Sequence, residues 1–386
     1  MDIGQYELDL EDFAQAFESL EDPRSELNRR HPLLGVLAIA VMAVLAGAGG
    51  PTAMARWANL KADWLQQLLP LPNGIPQKDV FRRVLMSLNP ATFQACFAAW
   101  IEELLTAHES ENAGKTLLSI DGKTLRRSHD RSKDLGALHT VSVWAGEFGL
   151  TLAQVSCAEK SNEITAIPEV LKLVDVKDAI VTIDAMGTQK QIARQIVAAK
   201  GDYVLALKGN QGNFHKAVTA YVDQQLETDF RGIGARRHET REKGHGREEH
   251  RIYVQFPVPE ELAGRREWRG LKTIGVAMLT TFCDGRETHD VRYFISSLPV
   301  GVKDFARAVR GHWGIENGCH WVLDMVYRED ESRIRESRLR ESFAWLNRFT
   351  LSLLKQHPAK TSVAMKRRSC AWNDEFLLQV VTGKGS

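Results

Sequence analysis

Cysteine is scarce in this chain: five residues among 386, at positions 96, 157, 283, 319 and 370, and never as a CxxC pair. That scarcity excludes a disulfide framework or a zinc knuckle and points to a reduced, cytoplasmic compartment. Long apolar runs are lacking too. Leu33 to Ala48 comes nearest, but it is short of the roughly 20 residues a bilayer span needs and is rich in Ala and Gly, so it reads as a buried core helix. The first 22 residues hold eight acids and no Lys or Arg, so the basic start of a signal peptide is missing. Net charge is almost absent, at +1 overall. Its distribution is uneven, because residues 231–251 and 328–368 are rich in Arg and Lys, which permits a polyanion partner without demanding one.

What is present describes a globular chain of more than one domain, with 44% hydrophobic and 26% charged residues. Residues 1–112 read as helical throughout. Phe13, Ala16, Phe17 and Leu20 line one face of an acidic first helix. Trp57, Leu60, Trp64 and Leu68 line a second, over Ala55 to Leu69. Helices over Asp79 to Leu88 and Pro90 to Leu105 complete this region. It lacks a basic stripe, so packing or dimerisation and the binding of DNA ends both stay open. A polar linker at 109–115 ends it.

Beyond the linker the period becomes strand-like. Thr116-Leu-Leu-Ser-Ile-Asp121 is an apolar run ending in a carboxylate, and Ala179-Ile-Val-Thr-Ile-Asp184 is another. Between them lie two strand-like runs joined by Gly146-Glu-Phe-Gly149, read as a hairpin, and a helix over Ile164 to Val174. After Asp184 comes an amphipathic helix, with Thr188 and Gln191 as a capping box, and then the strand Tyr203 to Leu207. Strand, hairpin, helix, strand, helix, strand is the order of an RNase H-like mixed sheet. There the first and fourth strands lie side by side, so Asp121 and Asp184 converge. The predicted class is therefore α/β: an RNase H-like mixed sheet with flanking helices and a β-rich insertion, preceded by an all-helical N-terminal domain. We expect the sheet domain over 113–356, the insertion at about 230–300, and a C-terminal tail over 357–386.

A third carboxylate comes from the unusual stretch Arg310 to Asp324. His312, Glu316, His320 and Asp324 recur every four residues on one helical face. Gly311, Gly314 and Gly318 sit inside the same helix, each at a cost of about 1 kcal/mol relative to Ala, which suggests close backbone approach or a local functional demand. Asp121, Asp184 and Glu316 together make an oxygen-rich site for Mg²⁺ or Mn²⁺, with room for two ions of the kind that catalyse in-line phosphoryl displacement. Lys123, Arg126, Lys208 and Arg310 stand near enough in sequence to hold a phosphate backbone. The insertion adds Arg236, Arg237, Arg241, Lys243 and Arg247.

Six stretches resemble the DDE transposases of the ISAs1 group, the H-repeat-associated type related to the IS4 elements. They are Gly74-Ile-Pro-Gln-Lys-Asp-Val-Phe-Arg-Arg83, Ile120-Asp-Gly-Lys-Thr-Leu-Arg126, Thr182-Ile-Asp-Ala-Met-Gly-Thr-Gln189, Leu205-Ala-Leu-Lys-Gly-Asn-Gln211, His245-Gly-Arg-Glu248 and His312-Trp-Gly-Ile-Glu-Asn317. The resemblance implies Asp121, Asp184 and Glu316 as the catalytic triad and metal ligands, with Asn210, His312 and Asn317 among the DNA contacts. It also implies cleavage of element ends, joining of the 3′-hydroxyl to target DNA, a homodimer on double-stranded DNA, no membrane, and a nucleoid-associated place in a bacterial cytoplasm. Relatives commonly carry Tyr, Arg and Lys where this chain has Val309, His312 and Leu323. A protonated His312 would supply the phosphate contact of the missing Arg. Three other readings remain: a nuclease that cuts without joining, a DNA-binding protein that has lost catalysis, and a transition-metal site at His312, Glu316, Cys319 and His320.

Overall fold

A computed structural model describes residues 15, 17–106, 114–130, 132, 135–157, 163–244 and 246–383. The expected contributions of Phe13, Ala16 and His245, and most of the linker, lie outside the described residues.

A single nine-stranded sheet carries the chain, in the order β3-β2-β1-β4-β5-β9-β8-β7-β6. Its first half is β1 (Leu117–Leu125), β2 (Leu138–Ala145), β3 (Leu150–Cys157), β4 (Ile180–Ile183) and β5 (Asp202–Leu207). β1 to β3 run as an antiparallel meander, whereas β4 joins β1 in parallel and β5 joins β4 in parallel. That order, 3-2-1-4-5, is the RNase H-like arrangement expected from the element sequence. The four residues of β4, Ile-Val-Thr-Ile, are buried on both faces, as an apolar run in a parallel sheet must be.

The insertion extends this sheet and forms no layer of its own. Its strands are β6 (Arg236–Gly244), β7 (Arg247–Pro257), β8 (Thr273–Cys283) and β9 (Arg286–Ser296), and β9 pairs antiparallel with β5. The inner halves of β7, β8 and β9 are buried, and the far ends of these three strands are exposed. β6 was not legible in the sequence. It is the edge strand, almost wholly exposed, and its charged run Arg-Arg-His-Glu-Thr-Arg-Glu-Lys shows no apolar alternation. Such a strand blunts edge-to-edge pairing, which accounts for its composition.

The N-terminal region is helical, as expected: α1 (Leu33–Leu45), α2 (Pro51–Leu60), α3 (Ala62–Leu68), α4 (Lys78–Ser87) and α5 (Pro90–Thr106). α1 is buried along almost its whole length, and among the described residues no helix is long and apolar enough to cross a membrane. The run Ala55 to Leu69, expected as one helix, breaks at Lys61 into α2 and α3. Across the sheet lie α6 (Glu163–Leu171), α7 (Lys190–Ala198) and α8 (Gly212–Leu226).

On the opposite face run α9 (Val302–Ile315), a π turn over Glu316–His320, α10 (Trp321–Met325) and α11 (Ser337–Gln356). Residues 357–386, expected as a tail, contain α12 (Val363–Trp372) and α13 (Asp374–Thr382), both packed on α1 and α11. Arg367 of α12 donates to the Val44 and Val326 carbonyls, tying the end of α1 to the end of α10.

α9 reaches β1 because Gly311 has no side chain. A Cβ there would lie 2.1 Å from Leu117 Cδ2, so any larger residue must displace the Leu117 side chain or the helix. Gly314 faces open space. Gly311→Val should therefore destabilise the protein by about 1–3 kcal/mol through overpacking, and Leu117→Ala in the same chain should recover part of the loss. Gly314→Ala should stabilise by up to about 1 kcal/mol through helix propensity alone. Urea denaturation of the four chains reads both effects, and equal destabilisation at the two glycines would contradict the close approach.

Candidate active site

The site is assembled where β1 and β4 run side by side. Ser119 pairs with Thr182 and Ile120 with Ile183, so Asp121 and Asp184 follow in neighbouring positions. Odd-numbered β1 residues face α9 and the π turn, and the four-residue ladder of that helix meets them and the neighbouring β4. His312 Nδ1 lies 3.0 Å from Thr182 Oγ1. His320 Nδ1 lies 3.5 Å from Asp121 Oδ2 and 3.3 Å from Glu316 Oε2. Asp324 accepts a 2.6 Å bond from Lys123. Ligand atoms of Asp121, Glu316 and His320 all lie within 4.8 Å of one another.

Asp184 is presented by a loop that the sequence holds tightly. Its Oδ1 accepts from the Gly187 amide at 3.0 Å, and a Cβ on Gly187 would strike Ile183 and Ile167. Thr188 was expected as a helix cap, but no side chain caps α7, whose N-cap residue is Gln189. Thr188 Oγ1 instead donates to the Asp184 and Ala206 carbonyls, clamping the loop to β5. Asn210 donates to the Ala185 carbonyl at 2.6 Å, and Gln211 donates to that of Thr188. The stretch after β5 thus fastens the Asp184 loop, a role that sequence spacing alone did not reveal.

Charge is crowded here. Burial pushes the Asp121 carboxyl up to about 6, against the pull of His320 and the Gly122 amide, and Asp184 and Glu316 push it further the same way. The hydrogen bond from His320 holds Glu316 below its ordinary value. Burial depresses His312 to about 4 even though Asp184 pulls it upward. His312 is thus held toward its neutral form beside Thr182, and the phosphate contact expected of it would require the ring to gain a proton.

Comparison with known proteins places this geometry. Residues 112–354 match the family described as the transposase DDE domain, and residues 14–101 match the DDE-associated domain. The chain is 35% identical over 387 residues to the H repeat-associated putative transposase YhhI of Escherichia coli (strain K12), covering 98% of this chain and 100% of that one. It is 37% identical over 369 residues to the putative transposase YncI of Escherichia coli O157:H7, covering 94% and 92%. The chain belongs to the DDE transposase family.

In this transposase the expected DNA contacts divide into free and committed groups. Lys123 is buried between Asp324 and Asp330, so its ammonium is not offered to a phosphate. Arg126 pairs with Asp330 at 3.3 Å, and Arg310 pairs with Glu242 of β6 at 2.9 Å. Arg237 is held by Glu239 and Arg247 by Glu249. Asn210 serves the Asp184 loop. Lys208, Arg236, Arg241, Lys243 and Asn317 are exposed and make no ion pair with another described residue. Trp313 and Trp321, 44% and 57% exposed, flank Glu316 on its own helix. The Arg292 guanidinium stacks over Trp313.

The depressed value of His312 gives a pH test. A group whose folded value lies below its unfolded one contributes stability at pH above about 6.5, and that contribution is lost as pH falls toward about 4. The metal-free His312→Gln variant should therefore lose less stability than wild type between pH 7 and pH 4 in denaturant titrations. Parallel losses in the two proteins would contradict a neutral, buried imidazole.

Proposed function

We propose that this transposase cuts the ends of its element and joins the freed 3′-hydroxyl to target DNA, with Asp121, Asp184 and Glu316 as its catalytic carboxylates. The observation that carries the reading is the convergence of two strand-tip carboxylates with one from the docked helix. Asp121, whose proton affinity is raised by burial and further by the charges of Asp184 and Glu316, forms with them a donor set suited to hard divalent cations, so the residues fit Mg²⁺ or Mn²⁺. Two such ions, when bound, activate the attacking water or 3′-hydroxyl and stabilise the departing oxygen.

The chain's own groups do the rest. Asp121, on a central strand, is rigidly placed between the other two acids. Asp184 is held by its fastened loop, and Glu316 by the docking of its helix. Lys208, Arg236, Arg241 and Lys243 track the phosphate backbone of double-stranded DNA. Trp313 and Trp321 offer faces on which bases at a strand end stack. Two copies acting on two element ends would make the working unit a dimer on DNA.

Asp184→Asn and Glu316→Gln should each abolish cleavage of a supercoiled donor plasmid carrying the element ends, while DNA binding in a gel-shift assay persists. Wild-type cleavage by either variant in Mg²⁺ or Mn²⁺ would refute the assignment, and nicks without joined products would favour a nuclease that does not transfer strands.

The split among the basic residues makes a separate prediction. Replacing Arg236, Arg241 and Lys243 together by Gln should reduce the slope of log affinity against log salt by about 0.9 for each lost phosphate contact. Replacing the paired Arg237 and Arg247 should change it far less. Equal effects in a salt titration would show that the ion pairs do not hold these side chains back.

A further inference from the structure

We propose that His320 is itself a cation ligand, so that one ion position of the site is formed by Asp121, Glu316 and His320 and favours Mn²⁺ over Mg²⁺. The inference rests on the proposed function and deepens it, because it gives an imidazole nitrogen to a site otherwise made of carboxylates.

Geometry supports it in three ways. The trio of ligand atoms within 4.8 Å comprises His320, Asp121 and Glu316, and Asp184 is not among them. Nδ1 lies 3.3 Å from one carboxylate oxygen and 3.5 Å from the other. Donors that surround one ion with bonds of about 2.1 Å stand roughly 3.0–3.5 Å apart, so the imidazole nitrogen already has the spacing of a neighbouring ligand to each carboxylate. The side chain is only 5% exposed, which fixes the ring in place, and Nε2 is buried without a partner. A cation seated between the two carboxylates would take the place of the Nδ1 proton that now faces them, leaving the remaining ring proton on Nε2. A π turn spans Glu316 to His320, the kind of local departure from α-helix that gathers at functional sites.

The chemical consequence is selectivity. Mg²⁺ prefers oxygen donors almost exclusively, whereas imidazole suits first-row transition ions. Replacing one carboxylate ligand by His320 therefore shifts this position toward Mn²⁺. Asp184, on its own loop across from the trio, is left to share Asp121 in the second position.

Pulsed electron paramagnetic resonance of Mn²⁺ bound to the full-length chain tests this directly, since a coordinated imidazole imprints ¹⁴N modulation on the echo. Wild type should show that modulation. His312→Asn should retain it and His320→Asn should lose it, with Mn²⁺ affinity falling about tenfold or more and Mg²⁺ affinity changing much less. Bound Mn²⁺ without nitrogen coupling in the wild type would overturn the inference, as would coupling that persists in His320→Asn. If His320→Asn does not fold, loss of the coupling in His312→Asn would overturn it equally. The two readings fail separately: if Asp121→Asn abolishes cleavage and Mn²⁺ shows no nitrogen, the carboxylate site stands and the inference about His320 falls. Failure of the wild type to bind Mn²⁺ at all would remove both.

Discussion

The structure depends on one docking event, the seating of the helical face His312-Glu316-His320-Asp324 along β1 and the tip of β4. His312 meets Thr182, His320 meets Asp121 and Asp324 meets Lys123, while Glu316 bonds His320, and the bare Gly311 lets the helix lie close against Leu117. Ser119 marks the same approach, its hydroxyl 3.4 Å from the Gly311 carbonyl. A side chain at that position would have to displace the end of Leu117 or the helix, and Glu316 rides on the same helix.

The docked helix is braced on two sides. Toward the insertion, Phe305 of α9 lies against Gly275 of β8, where a Cβ would be 2.2 Å from the ring, and Arg310 pairs with Glu242. Toward α11, Arg348 is wholly buried, bonded to Glu329, Thr140 and Ser142. Breaking such a pair typically costs about 3–5 kcal/mol, because the remaining charge is stranded in the interior. Glu329 adjoins Asp330, which with Asp324 holds Lys123. The basic residue two positions after Asp121 thus belongs to the framework. Its structural use explains why a Lys two residues after Asp121 need not signal a phosphate contact.

Much of this was legible in the sequence where burial dictates pattern. The two apolar runs ending in Asp121 and Asp184, the hairpin between them and the four-residue ladder each leave a periodic trace. Their order alone puts β1 beside β4. What could not be read were the choices that pattern leaves free. Thr188 followed by Gln191 looks like a capping box, yet its hydroxyl found better acceptors in Asp184 and Ala206 once β5 lay alongside. β6 hid because an exposed edge strand has no apolar face to show. The charge of Lys123 and Arg310 is visible in the sequence, but the acids that occupy it come from distant segments, whereas Arg237 and Arg247 meet Glu239 and Glu249 two residues on along their own strands. His320 stood in the ladder from the start, and its bearing on Asp121 appears only when the strand and the helix are placed together.

The central claim is that helix docking, more than strand adjacency, completes the carboxylate site. Anomalous diffraction from crystals of the full chain with element-end DNA and Mn²⁺ tests it most directly. The account predicts manganese peaks at Asp121, one of them also in contact with Glu316 and the other with Asp184. Manganese bound between Asp121 and Asp184 alone, with Glu316 turned to solvent, would contradict it.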